Sequence, residues 1–386
     1  MSPTDPVDLA QALIRRPSVT PSDGGALDVL EAALRKLGFA CRRLPFEEPG
    51  HARVDNLYAR LGDKPPHFCF AGHTDVVPIG NPDNWSVDPF AAEIKGERLY
   101  GRGAADMKTA IAAFVAAVER FLKARKGKLD GSISFLITGD EEADAVNGTV
   151  KMLGWLKEHG EVPDVCLVGE PTNQKTLGET IKIGRRGSLT AALTVFGTQG
   201  HSAYAHLADN PIPRLMKMLG ALIDKPLDKG NAHFPPSDVI VTTIDVGNTA
   251  SNLIPSRAEA RINIRFNDAH TGASLERLMH QRFDAVGGRY ELAVRVSGEA
   301  FLTPVGPLAR GVAAAVKKVT GREPKFATDG GTSDARFIKD YCPVVEFGMT
   351  NETAHKTDEN SLVADVRLLA DIYEAVIDGY FAPGRR

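Results

Sequence analysis

The rhythm of apolar positions changes twice along this chain. Early on they come as short unbroken runs, HFCFAG at 67–72, SISFLIT at 132–138 and VCLVG at 165–169. Helical spacing fills stretches before and between them, at 6–15, at 24–37 with a stop at Gly38, and at 107–126. An unbroken apolar run suits a strand buried on both faces. Such strands interleaved with helices predict a mixed, largely parallel α/β sheet with helices on both faces. From about residue 182 the period becomes two. Leu189, Ala191, Leu193 and Val195 alternate with Thr190, Ala192, Thr194 and Phe196, and Ala260, Ile262, Ile264 and Phe266 alternate with Glu259, Arg261, Asn263 and Arg265. That pattern predicts an antiparallel sheet buried on one face, joined by helices at 211–223 and 273–285.

After about residue 297 the first style returns. A helix is expected at 306–320, an apolar strand at 342–347, and a last helix at 361–380 with Leu362, Val366, Leu369, Tyr373, Val376 and Tyr380 on one face. The organisation expected is an α/β domain of residues 1–181 and 297–386, interrupted by a smaller antiparallel α+β domain at 182–296.

Composition narrows the classes. The 386 residues are 43% hydrophobic and 25% charged, with 46 basic against 49 acidic side chains and a net charge of −3. That is an ordinary globular make-up, without the basic surface that nucleic acid requires. The longest apolar run, 110–118, is too short to cross a bilayer, so no membrane partner is expected. Met1–Asp5 has no basic segment leading into an apolar core, so no secretory signal is read there. Cys41, Cys69, Cys166 and Cys342 lie far apart, each in or beside apolar sequence. They read as free thiols in a reducing cytoplasm.

The candidate chemistry sits just after the apolar runs. His73 and Asp75 follow the first, Asp140-Glu141-Glu142 the second, Glu170 the third, and His355 the 342–347 run. Asp106 stands at the entrance to the long helix. Ligands of open α/β sheets bind beyond the carboxyl ends of the strands, so these residues are expected on one rim. Alone, each has an ordinary reading: a strand-end histidine bonds its loop, and an acidic run is a solvated turn. Together, so many carboxylates need cations to stay ionised side by side. A His/Asp/Glu set without thiolate suits zinc, cobalt or manganese, and five ligands suit two ions sharing one carboxylate. No GxSxG or HExxH occurs, which disfavours a serine hydrolase and a zincin.

Gly72-His-Thr-Asp-Val-Val-Pro78, Tyr100-Gly-Arg-Gly-Ala-Ala-Asp-Met-Lys108, Thr138-Gly-Asp-Glu-Glu142, Val168-Gly-Glu-Pro-Thr172 and Gly200-His-Ser-Ala-Tyr204 resemble the aminoacylase/carboxypeptidase-type dizinc hydrolases. The resemblance runs through essentially the whole chain. It implies an amidohydrolase with two Zn²⁺ per subunit, Co²⁺ being possible in one site. His73 and Glu170 would hold one ion, Glu142 and His355 the other, and Asp106 would bridge. Asp75 would accept a hydrogen bond from His73, Glu141 would be the general base, and the Asp106–Met107 peptide would be cis. The 182–296 domain would be a lid and homodimer interface, bringing His201 to the partner's site to stabilise the oxyanion. Arg185, Tyr204, Asn252, Arg265, Thr332 and Asn351 would contact a small-molecule substrate. Ile183-Gly-Arg-Arg-Gly-Ser188, Ala205-His-Leu-Ala-Asp-Asn-Pro211, Asn252-Leu-Ile-Pro255 and Gly330-Gly-Thr-Ser-Asp-Ala-Arg-Phe337 narrow that substrate to a succinylated diamino acid. A deacetylase or peptidase of the same family would keep every metal ligand and differ in its pockets.

Overall fold

The two apolar rhythms become two sheets. The computed structural model describes residues 5–382; the Met1–Thr4 stretch behind the targeting expectation lies outside them. The chain divides into one unit that runs up to Ile183 and takes in Thr303–Ala327 and the chain from Ser333 on, and a second of Gly184–Leu302 with Thr328–Thr332.

The first unit is built on an eight-stranded sheet, in the order Ala40–Arg43, Leu57–Leu61, Ser132–Thr138, His67–His73, Val165–Val168, Val344–Glu346, Thr180–Lys182, Lys325–Ala327. Its centre, from Ser132–Thr138 to Val344–Glu346, is parallel. Antiparallel pairs occur at Ala40–Arg43 with Leu57–Leu61, at Leu57–Leu61 with Ser132–Thr138, and at Val344–Glu346 with Thr180–Lys182. Every residue of His67–His73 and Ser132–Thr138 is buried, which is why neither strand alternates. Helices Lys108–Ala124 and Val363–Tyr380 pack on each other, and Phe70 stacks on Phe114 at 4.3 Å, with Tyr373 edge-on to both.

Helix starts follow local chemistry. The Asp5 carboxylate accepts the Val7 N–H ahead of Pro6–Ile14, and Asn210 does the same for Ile212 ahead of Pro211–Ile223. The last helix departs from the sequence expectation. Leu362 is not on its apolar face but ends the short strand Asn360–Leu362, which pairs with Arg98–Tyr100. Among the cysteines, Cys69, Cys166 and Cys342 are buried free thiols, whereas Cys41 is half-buried on an edge strand.

The second unit has a four-stranded sheet, in the order Asp238–Asp245, Arg257–Phe266, Gly187–Phe196, Tyr290–Gly298, antiparallel throughout. Leu189, Ala191, Leu193 and Val195 face Ala260, Ile262, Ile264 and Phe266 in one core with Leu215, Met218, Met279 and Phe283 of helices Pro211–Ile223 and Gly272–Val286.

Candidate metal centre

Because Ser132–Thr138, His67–His73, Val165–Val168 and Val344–Glu346 are adjacent and parallel, their carboxyl ends open on one rim. His73 closes its strand, paired with Thr138. Glu141 and Glu142 follow Thr138, Glu170 follows Val168, and His355 lies on the loop after Glu346 with φ 62°. Asp106 enters from the loop before helix Lys108–Ala124, and its peptide to Met107 is cis. A side chain on Gly169 would meet Phe70 Cζ at 2.5 Å and Met107 Cε at 2.7 Å, so glycine lets Met107 pack under the rim.

Three candidate ligand groups result among the described residues, His73/Glu141/Glu142, His73/Asp106/Glu170 and Asp106/Glu142/His355, and Asp106 belongs to the last two. His73 Nε2 lies 3.2 Å from Asp106 Oδ1 and 3.5 Å from Glu170 Oε1. His355 Nε2 lies 3.4 Å from Asp106 Oδ2 and 2.7 Å from Glu142 Oε1. The bridging carboxylate thus offers one oxygen to each side. Titration reflects the crowding. Burial opposes a charge on His73, yet Asp106 and Glu170 hold its pKa well above the ordinary imidazole range. Hydrogen bonds to Asp106 and Glu142 push His355 up to about 10. Burial opposes the charge of Asp106, but its bonds to His355 and His73 hold it far below the usual carboxylate range. These shifts report clustered negative charge, which bound divalent cations would offset. The donor set and its two-sided geometry fit a pair of such ions.

Asp75 differs from the expectation. His73 Nδ1 donates to the Asp75 backbone carbonyl at 2.8 Å, while the Asp75 carboxylate stands 3.7 Å away. A two-residue separation brings the carbonyl within closer reach. The carboxylate instead accepts the N–H groups of Glu141 at 3.3 Å and Glu142 at 3.0 Å. Asp75 therefore fixes the His73 tautomer through its main chain and the acidic turn through its side chain. Burial, ahead of the opposing His73 charge, lifts its pKa to about 6. Asp140 is buried and accepts the Val146 and Asn147 N–H groups at 2.9 and 2.8 Å; it shapes the turn and joins no ligand group. Glu141 is half-buried and groups with His73 and Glu142; desolvation, and then the charge of Glu170, pushes its pKa well above the usual range. One buried carboxylate near the site goes unread in the sequence. Glu359, inside the polar stretch KTDEN, accepts the Ala105 and Asp106 N–H groups, and no apolar pattern marks it.

In the second unit, Gly200–His201 pairs with Leu253–Ile254, and the Ser202 N–H donates to the Asn252 carbonyl, so His201, Tyr204 and Asn252 share an exposed corner. His201 Nδ1 accepts the Ala203 N–H at 3.0 Å, which leaves Nε2–H as the donor of the neutral ring. Arg185 donates to the Gly331 carbonyl, beside Thr332. Arg265 lies opposite Ser188 and donates to Asn263 Oδ1 at 3.2 Å. Burial and the neighbouring Arg186 lower its pKa. Asn351 is exposed in the first unit, its N–H bonded to the Asn173 carbonyl.

Among known proteins, a family profile described as peptidase family M20/M25/M40 matches residues 69–379. A succinyl-diaminopimelate desuccinylase of Rhodospirillum centenum is 62% identical over 378 residues, 98% of this chain and 98% of that one. One of Parvibaculum lavamentivorans is 60% identical over 385 residues, 99% and 97% of the two. Among solved structures, an M20 family metallo-carboxypeptidase from Sulfolobus solfataricus has a TM-score of 0.79 at 20% identity, covering 98% of this chain and 99% of that one. A dinuclear metal binding peptidase of the M20 family from Bacillus subtilis has a TM-score of 0.70 at 16% identity, covering 97% and 98%. At such identities the structural likeness speaks to the fold.

Proposed function

The chain belongs to peptidase family M20/M25/M40, and from that premise we propose that it hydrolyses N-succinyl-LL-2,6-diaminopimelate to succinate and LL-2,6-diaminopimelate, a step of lysine and diaminopimelate biosynthesis in the cytoplasm. As a member of that family it is a metal-dependent hydrolase. One observation carries the chemistry: Asp106 presents an oxygen to each of two ligand groups. The substrate rests on the full-length likeness to the desuccinylases.

His73, Asp106 and Glu170 would hold one Zn²⁺, and Asp106, Glu142 and His355 the other, with Co²⁺ an alternative in one position. When bound, the ions supply Lewis acidity that polarises the amide carbonyl and acidifies water. Glu141 takes the proton of the attacking water and passes it to the departing nitrogen. His201 offers Nε2–H to the oxyanion. Arg185 and Arg265 bind substrate carboxylates as guanidinium forks, with Tyr204, Asn252, Thr332 and Asn351 completing the contacts.

The enzyme acts as a homodimer in which His201 of one copy serves the site of the other. Two features of the second unit support this: strand Asp238–Asp245 is a sheet edge with Ile240 and Ile244 exposed, and helix Pro211–Ile223 exposes Met216 and Ile223. Such apolar exposure marks an interaction surface.

The test is turnover by zinc-loaded protein of N-succinyl-LL-2,6-diaminopimelate, N-acetylornithine and a dipeptide. The succinyl substrate should lead in kcat/KM by about a hundredfold or more, the discrimination expected when buried polar groups would otherwise stay unpaired. A lead for either of the others would replace this reading with a sister amidohydrolase.

A further inference from the structure

Arg102 and Glu359 form an ion pair beneath the loop that carries Asp106, their side chains 3% and 0% exposed and 2.7 Å apart. Glu359 Oε1 accepts the N–H groups of Ala105 at 2.8 Å and Asp106 at 3.0 Å, and Oε2 accepts that of Gly103 at 3.1 Å. The loop lacks a regular partner for these amides, and Gly103 takes a positive φ of 86° to turn inside it. Arg102 completes the arrangement. Its guanidinium also donates to the Lys356 carbonyl at 3.2 Å, next to His355, and to the Pro78 carbonyl at 3.3 Å, beyond Asp75. The Trp85 ring covers it at 5.2 Å.

We propose that Arg102 and Glu359 are a positioning pair that presets Asp106 and His355 for metal binding, Glu359 by holding the Asp106 main chain and Arg102 by tying the His355 loop to it. This rests on the metal-centre reading above. Removing two charges from water is costly, and a buried pair is weak evidence of a gain in stability. What it secures here is the backbone of three segments that bear site residues. His73 needs no such tie, because it ends a wholly buried strand, and Glu170 lies two residues past the end of the largely buried strand Val165–Val168. The His355 side chain is 48% exposed on its loop, so the Asp106/Glu142/His355 group depends on Arg102 more than the His73/Asp106/Glu170 group does.

The experiment is titration of metal-free protein with Co²⁺, followed by visible absorption and calorimetry, alongside melting of the metal-free form. Wild type should take up two ions. Arg102→Met should bind one within about twofold of wild-type affinity and the other about 10–100-fold more weakly, the usual cost of losing a group that orients a ligand. Its kcat should return as Co²⁺ is raised, with KM unchanged. Arg102→Lys, which keeps a buried cation, serves if Arg102→Met does not fold; it should show the same one-sided weakening to a lesser degree. Glu359→Gln should weaken both ions, since both use Asp106. Arg102 variants that hold two ions at wild-type affinity, or that lose both only in step with a falling melting temperature, would overturn the proposal. A wild-type chain that binds fewer than two ions overturns the metal-centre reading and the proposal with it.

Discussion

Glu141, Glu142, Asp75 and His67 show how environment sets what an ionisable side chain does. Glu141 and Glu142 are consecutive, yet only Glu142 reaches both Asp106 and His355 in a single ligand group. Glu141→Gln keeps the size of the side chain and removes its basicity. It should retain both metals by elemental analysis and lose about 10²–10⁴ in kcat, the usual worth of a general base; near wild-type turnover would exclude that role. Asp75→Asn should leave the His73 tautomer in place, because its partner is a main-chain carbonyl. It disturbs the cap on the Glu141 and Glu142 N–H groups, so metal affinity should fall about 10–100-fold on the Glu142 side, measured by Zn²⁺ competition with a chromophoric chelator. His67 lies away from the centre, its Nε2 sharing a 2.7 Å hydrogen bond with Ser134 Oγ. Burial lowers its pKa to about 4, against the ordinary 6.5. Between those values the unfolded chain binds a proton that the folded chain refuses, so stability falls as pH drops from 6.5 towards 4. His67→Gln should reduce the difference in urea-unfolding free energy between pH 7 and 4.5 by about 2 kcal/mol. An unchanged pH slope would contradict the account.

At the scale of elements, the strands position the chemistry because they are parallel, adjacent and buried. Gly169→Ala tests how tightly the rim is packed. Its methyl would press on Phe70 and Met107, and overpacking of that kind costs about 1–3 kcal/mol, read as a lower unfolding free energy. These elements were largely legible in the sequence. Unbroken runs such as 132–138 and strict alternation such as 259–266 report burial on two faces or one. The strand-end rule then placed His73, Glu142 and Glu170 on a shared rim. What remained hidden depends on partners distant in sequence. Leu362 pairs with Arg98, which no helical pattern announces. Glu359 is buried against the Asp106 loop, far from it in sequence. The exchange of main chain for side chain at Asp75 depends on the turn that places Glu141 and Glu142 above its carboxylate.

At the scale of the whole molecule, the site is a balance of charge. Several carboxylates converge with two imidazoles, and bound cations would offset the clustered negative charge. Metals bound only by the folded chain also stabilise it by mass action, so chelation should lower the melting temperature and Zn²⁺ should restore it. If His201 acts across a dimer, mixing His201→Ala with Glu141→Gln should restore activity in heterodimers, where one site has both groups; complete absence of rescue would count against exchange between copies. The most direct measurement is anomalous scattering at the zinc edge from crystals grown with saturating Zn²⁺. The account predicts two peaks about 3.5–4 Å apart, one on each side of Asp106, with His73 and Glu170 on one and Glu142 and His355 on the other. A single peak, or none, would contradict it.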